Sequence, residues 1–185
     1  MAAHENRVRG GEGIAMRARK ARLPDAERIH ALIAGYAREE RLLPRSLAEI
    51  CENIRDFTVI EQRGGVIGCG ALHFYGAELA EIRSVAVDRA RQQRGAGSRL
   101  VAALLAEARA HGVGCVCLFT HIPDYFARTG FVTVEHQSLP EKALKDCVRC
   151  PRVHCCDETA MIFGALPLRA AAPQPQLVAL RSLAG

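Results

Sequence analysis

A short glycine-bearing turn in the middle of the chain has residue types and spacing that suit an anionic ligand. The turn runs from Gln92 through Arg94, Gly95 and Gly97 to Ser98, between an apolar stretch that ends at Val87 and an amphipathic stretch. The first N–H groups of a helix have no partner within the helix, and the helix dipole adds partial positive charge there. Glycines allow a ligand to approach the backbone closely. The pattern predicts a phosphate or pyrophosphate cradle at the start of a helix.

The spacing of this turn excludes the two commonest nucleotide-binding loops. A Gly-Lys-Ser/Thr ending is absent, and Leu100 stands where a dinucleotide fingerprint requires its third glycine. The residues instead follow the pattern Gln/Arg-x-x-Gly-x-Gly over 92–97. A strand-to-helix turn without a ligand is the alternative interpretation.

Composition limits the class of protein to which the chain can belong. The 185 residues, 49% of them hydrophobic, suit one domain over 16–166, with a disordered leader over 1–15 and a flexible tail over 167–185. The net charge of +5 suits a small anionic ligand and is too scattered for nucleic acid. The chain has neither an apolar run long enough to span a membrane nor an apolar signal core, so we expect a cytoplasmic protein.

Hydrophobic periodicity and turn residues predict the elements that position the cradle. Helices are expected to open at Pro24 and at Ser46, where Ser46 and Glu49 form a capping-box pattern, and to cover 97–111 and 123–128. Strands are expected at 16–21, 57–61, 66–74, 79–87, 114–120, 130–134 and 159–166, and residues 139–158 are expected to be irregular. The order βααβββαβαβ plus a final strand predicts a mixed α/β or α+β sheet.

Several segments together resemble the GCN5-related N-acetyltransferase (GNAT) superfamily, in particular the short stand-alone bacterial N-acetylglutamate synthases. They are the 92–97 loop, Leu43–Ser46, Ala80–Val87, Tyr125–Phe131 and Lys145–Pro151. The resemblance covers about 16–166. It implies a mostly antiparallel sheet flanked by helices and splayed at the strand that binds acetyl-CoA. It also implies acetyl transfer to L-glutamate, the step that opens arginine biosynthesis.

The resemblance also implies which residues bind acetyl-CoA. The strand before the turn contributes backbone groups to the pantetheine arm, and the turn surrounds the pyrophosphate. The implied residues are Val85, Ala86, Val87, Gln92, Gln93, Arg94, Gly95, Ala96, Gly97 and Ser98. Core packing of the strand valines is compatible with this role, because backbone and side chain act independently.

Acetyl transfer requires a base that takes a proton from the amine. An acid that gives a proton to the leaving thiolate makes the reaction faster. Glu81, among apolar neighbours, is the candidate base, and an ordinary ion-paired strand carboxylate is the alternative; His73 and His121 are rival bases. Tyr125 is the candidate acid. The family pattern puts its tyrosine at the position of Phe126, about 100° further round a helix, so departure of the thiolate without a tyrosine acid stays open.

A glutamate substrate has two carboxylates, which arginine and lysine side chains bind well. The candidates are Arg45, Ser46, Arg83 and Lys142. Ser46 as a helix cap with Arg45 solvated, an Arg83–Glu81 ion pair and a surface Lys142 are the alternatives.

Of the eight cysteines, four lie in a loop at 146–158, beside His154. Cys147, Cys150 and Cys156 have metal-like spacing, but this set is incomplete for zinc, and we favour a loop of reduced thiols without metal. A small-molecule substrate is the expected partner, and a homodimer is possible. Acetylation of another amine or protein N-terminus, and a non-catalytic acetyl-CoA sensor, are the alternative functions.

Overall fold

The computed structural model describes residues 15–92, 94–145, 147–150 and 153–167. The leader predicted over 1–15 and the tail predicted over 167–185 lie outside these ranges, apart from residues 15 and 167. No helix among the described residues is long and apolar enough to cross a membrane.

Seven strands form one mixed sheet in the order β1-β2-β3-β4-β5-β7-β6. Only the β4–β5 pair is parallel. The strands are β1 (Arg17–Lys20), β2 (Phe57–Gln62), β3 (Gly65–Phe74), β4 (Leu79–Val87), β5 (Cys115–Thr120), β6 (Val132–Thr133) and β7 (Thr159–Gly164). The helices are α1 (Ala26–Ala37), α2 (Leu47–Glu52), α3 (Ala96–Ala110), α4 (Pro123–Ala127) and α5 (Pro140–Lys145). The predicted mixed sheet and element order are confirmed.

Helices cover both faces of the sheet. The buried face of α3 packs with Phe126 of α4 on one side, and α1 and α2 pack on the other. Ile29, Leu32 and Ile33 form the buried stripe of α1, as the periodicity predicts. Ser46 and Glu49 form the predicted capping box. The two helical layers hold β4 in the middle of the domain.

Two predicted boundaries are wrong. Residues 140–145 are helical rather than irregular, with Leu139 buried just before them. A helix of six residues offers too few apolar positions for a recognisable period. The strand predicted at 130–134 shortens to Val132–Thr133, because Gly130 adopts a positive φ of 94° just before it.

The central strands separate soon after they meet. β4 and β5 pair only from Leu79 with Cys115 to Glu81 with Cys117. Beyond that point β4 continues alongside β3 alone, while β5 pairs with β7 along its whole length. This produces the predicted splay, a gap between β4 and β5 that leads to the start of α3.

A β-bulge changes the direction of β4 beside this gap. Ser84 has φ 56°, and the β3–β4 register shifts between Cys69 and Ala71, so two residues of β4 oppose one of β3. Asp88 N–H donates to the Ile67 carbonyl at 2.7 Å. By the alternation of antiparallel pairs, the N–H and C=O of Val87 therefore point away from β3, toward the gap.

Candidate active site

The predicted cradle lies at the N-terminus of α3. Gly95 is the residue before the helix, adopts φ 81°, and provides no side-chain cap. The first N–H groups of this 15-residue helix therefore face the loop without a capping side chain. Gln92, Arg94 and Ser98 are exposed around them, and Gln93 lies outside the described residues. The arrangement can bind an anionic group through backbone N–H groups and added positive charge.

Tyr125 faces this cradle. Its hydroxyl is buried and has no hydrogen-bond partner among the described residues. A Cβ added to Gly97 would lie 2.7 Å from the Tyr125 Oη atom, so glycine is the residue that leaves room for the phenol. Phe126, at the family's tyrosine position, is buried in the core instead. The one-residue shift thus puts the phenylalanine in the core and the tyrosine at the cradle.

These features fit a long anionic ligand such as acetyl-CoA. The cradle suits the pyrophosphate, the splayed gap offers Val87 backbone groups, and the orphaned Tyr125 hydroxyl marks a polar position between them. A groove of about 450 Å³ also opens between α1 and the end of β4. The residues present therefore suit an anionic co-substrate such as the one predicted.

Glu81 is buried on β4 and is held by three polar side chains. Its side chain is 2% exposed. Tyr75 Oη donates to Glu81 Oε2 at 2.8 Å, and Lys142 Nζ of α5 lies 2.7 Å from Oε1. Arg83 Nη1 lies 3.9 Å from Oε2. Glu81 is thus an ion-paired carboxylate, and Lys142, far from it along the chain, is its nearest cation.

Arg45 and Arg83 line one small cavity beneath α2. Its volume of about 20 Å³ is sufficient for about one water molecule. Glu49 lines it too, with Oε1 3.9 Å from Arg45 Nη1. Ser46 N–H donates to the Glu49 carboxylate, and this hydrogen bond lowers the pKa of Glu49. The structure therefore brings the two predicted arginines together, while the Ser46 hydroxyl caps α2.

The rival bases contact other carboxylates. His73 Nδ1 lies 3.4 Å from Asp56 Oδ2, and its ring meets the Tyr75 ring edge-on at 5.2 Å. His121 lies 3.8 Å from Asp157 and 4.0 Å from Glu158. Tyr75 is the only residue among those described whose hydroxyl donates to Glu81. It is not among the predicted site residues, because it lies in no recognisable motif.

The cysteines fall into buried and accessible groups. Burial raises the pKa of the Cys69 thiol to about 12 and raises that of Cys117 as well. Cys155 and Cys156 are exposed, and Cys147 and Cys150 are half-buried. Within the described ranges, no group of three or more His, Cys, Asp or Glu side chains is arranged to hold a metal ion.

Comparison with known proteins relates this geometry to a family. Residues 23–131 match the Acetyltransferase (GNAT) family. An uncharacterized N-acetyltransferase of Chlorobaculum tepidum is 42% identical over 144 residues, which cover 78% of this chain and 93% of that protein. An amino-acid acetyltransferase of Mycobacterium tuberculosis is 39% identical over 120 residues, which cover 63% of this chain and 68% of the relative.

A solved structure shares the same architecture. The N-acetylglutamate synthase from Neisseria gonorrhoeae, complexed with coenzyme A and N-acetyl-glutamate, superposes with a TM-score of 0.74 at 29% sequence identity. The match covers 83% of this chain and 36% of that one. The splayed sheet and the helix N-terminus described above are thus found in a fold that binds coenzyme A.

The Glu81–Lys142 pair predicts a measurable coupling. Lys142→Met leaves a buried carboxylate with less compensating charge, so we expect the free energy of unfolding to fall by about 3 kcal/mol. The loss should be smaller in a Glu81→Gln background, as measured by urea unfolding of the four proteins in a double-mutant cycle. Arg17→Met, at an exposed cation on β1, is the control. Strictly additive effects would contradict the pairing.

Proposed function

Because the chain belongs to the acetyltransferase (GNAT) family and is an acetyl-CoA-dependent N-acetyltransferase, we propose that its acceptor is the amino group of L-glutamate. The observation that carries this proposal is the convergence of Arg45 and Arg83 on one cavity, with Lys142 held nearby on Glu81. An acceptor with only an amine has no use for such a set of cations. The relatives named for amino-acid acetylation support the same choice. A place in arginine biosynthesis and in the cytoplasm belongs to this proposal, as does a catalytic domain over 16–166.

We propose that acetyl-CoA lies along the gap between β4 and β5. The N–H groups at the start of α3 bind its pyrophosphate, with the 92–98 turn around it, and Arg94 and Ser98 add side-chain donors. Val85, Ala86 and Val87 present backbone to the pantetheine arm. The thioester then lies on the β4 side of the domain, toward the face that carries Glu81.

The cations are proposed to bind the two carboxylates of the acceptor. Arg45 and Arg83 offer paired N–H donors that match a carboxylate. Lys142, held on Glu81, adds a third cation to this set. Since the cavity holds about one water, α2 or the Arg45 side chain must shift for glutamate to enter. A substrate carboxylate would then take the place of Glu49 beside Arg45.

The reaction we propose is direct attack on the thioester. Glu81, directly or through a water, takes a proton from the ammonium of the acceptor. The neutral nitrogen forms a bond to the acetyl carbon, the carbon–sulfur bond breaks, and the nitrogen gives up its extra proton to water. Tyr125 gives its proton to the departing thiolate, for which its hydroxyl is free of other partners among the described residues, and the phenolate then regains a proton from water. The products are an N-acetylated amino acid and coenzyme A.

Release of free thiol from acetyl-CoA, measured with a panel of amines, tests the acceptor. We expect turnover with L-glutamate, and turnover at least tenfold lower with L-glutamine and with amines that have no carboxylate. Glutamine is the sharpest comparison, because it differs only in the side-chain charge. Efficient turnover of a simple amine would contradict the glutamate proposal while leaving the acetyltransferase assignment intact.

Arg45→Met should weaken the binding of glutamate and leave the binding of acetyl-CoA nearly unchanged. Removal of a charged hydrogen-bond donor costs about 1.5–3 kcal/mol, so we expect the KM for glutamate to rise at least tenfold. The KM for acetyl-CoA should change less than twofold. Arg41→Met is the matched control, because Arg41 is exposed and pairs with Glu39. An unchanged KM for glutamate would remove Arg45 from the acceptor site.

Tyr125→Phe separates a catalytic role from a structural one. Burying a hydroxyl without a partner destabilises a protein by about 1–3 kcal/mol, so this variant should unfold at an equal or higher temperature. If the hydroxyl protonates the thiolate, kcat should nevertheless fall about 100-fold. Calorimetric unfolding and steady-state kinetics on the same preparation measure both. A stable variant with wild-type kcat would show that the thiolate leaves without Tyr125.

A further inference from the structure

Helix α1 and the turn that follows it hold the strand-to-cradle junction through three separate contacts. Arg28 Nη2 lies 2.5 Å from Asp88 Oδ2, and Glu39 forms an ion pair with Arg89. Between them, Tyr36 reaches the backbone of Val87. The end of β4 is therefore fixed to α1 as well as to its neighbouring strand β3.

The Tyr36 hydroxyl is the most specific of these contacts. It donates to the Val87 carbonyl oxygen at 2.6 Å, and Gln92 Nε2 donates to it at 2.5 Å. Since the single hydroxyl proton goes to Val87, Gln92 must present its NH₂ group rather than its oxygen. The guanidinium of Arg89 lies 5.0 Å from the centre of the Tyr36 ring and limits its rotation. One phenol thus joins the last residue of β4 to the first residue of the cradle.

The hydrogen bond from Tyr36 matters because of where the Val87 backbone lies. The Val87 carbonyl points into the splayed gap, where no strand can pair with it. The Val87 carbonyl accepts a hydrogen bond from Tyr36 and so has a partner, while the Val87 N–H stays available to a ligand. Gln92 is exposed, and the hydrogen bond from its side chain to the phenol helps to set where the cradle begins. Sequence periodicity places Tyr36 on the apolar stripe of α1 and does not indicate this polar task.

We propose that Tyr36 is a positioning residue for coenzyme A, which fixes the gap-facing backbone of Val87 and the start of the pyrophosphate cradle in one arrangement. The proposal rests on the acetyl-CoA half of the proposed function and is independent of the acceptor amine. A hydroxyl that prearranges a binding site contributes to affinity by lowering the cost of ordering that site.

Calorimetric titration with coenzyme A alone, without any amine, tests this role. Loss of one hydrogen bond corresponds to roughly 3- to 10-fold in an equilibrium constant, so Tyr36→Phe should raise the Kd for coenzyme A by that factor. Gln92→Leu should do the same, and the double variant should bind no more weakly than the worse single variant. Glu27→Gln, on the exposed side of α1, is the matched control and should bind like the unmutated protein.

Kinetics provide a second readout that loss of fold stability would not mimic. The KM for acetyl-CoA should rise in Tyr36→Phe, while kcat at saturating acetyl-CoA and the KM for the amine stay within twofold. An unchanged Kd in Tyr36→Phe, or fully additive losses in the double variant, would overturn the positioning role. An unmutated protein that does not bind coenzyme A would overturn the acetyltransferase proposal and this role with it.

Discussion

The separation of β4 from β5 after three residue pairs is the constraint on which the site depends. Backbone N–H and C=O groups away from water need partners, and a parallel pair that continued would supply them from within the sheet. Here β5 pairs with β7 along its other edge, and the bulge at Ser84 changes the direction of the end of β4. The groups freed in the gap must find other partners, and we propose that a ligand arm is one of them.

The same strand that opens the gap carries the buried charge. Glu81 is the last residue of β4 to pair with β5, so its carboxylate lies where the sheet begins to divide. A buried carboxylate is tolerated only with compensating charge and donors, which Tyr75, Arg83 and Lys142 provide. Lys142 comes from α5, after the last crossover. The C-terminal part of the domain therefore completes a site begun by its central strand.

Local patterns predicted local structure well. The Ser46–Glu49 capping box and the helix that begins after Gly95 each depend on a few adjacent residues, and both are present. Contacts between distant residues could not be read in the same way. The 60 residues between Glu81 and Lys142 contain no pattern that predicts their pairing, and α5 is too short to show a period.

Two tyrosines approach the cradle, and their hydrogen bonding supports the different tasks that we propose for them. Tyr36 donates its proton to a backbone carbonyl and accepts from Gln92, so its hydroxyl is fully occupied and suited to holding geometry. The Tyr125 hydroxyl is buried beside Gly97 with no partner among the described residues, so its proton is available to an incoming group. A position along the chain cannot distinguish a structural phenol from a reactive one. The two phenols differ in whether the hydroxyl has a hydrogen-bond partner. That difference depends on how α1 and α4 pack against the splayed sheet.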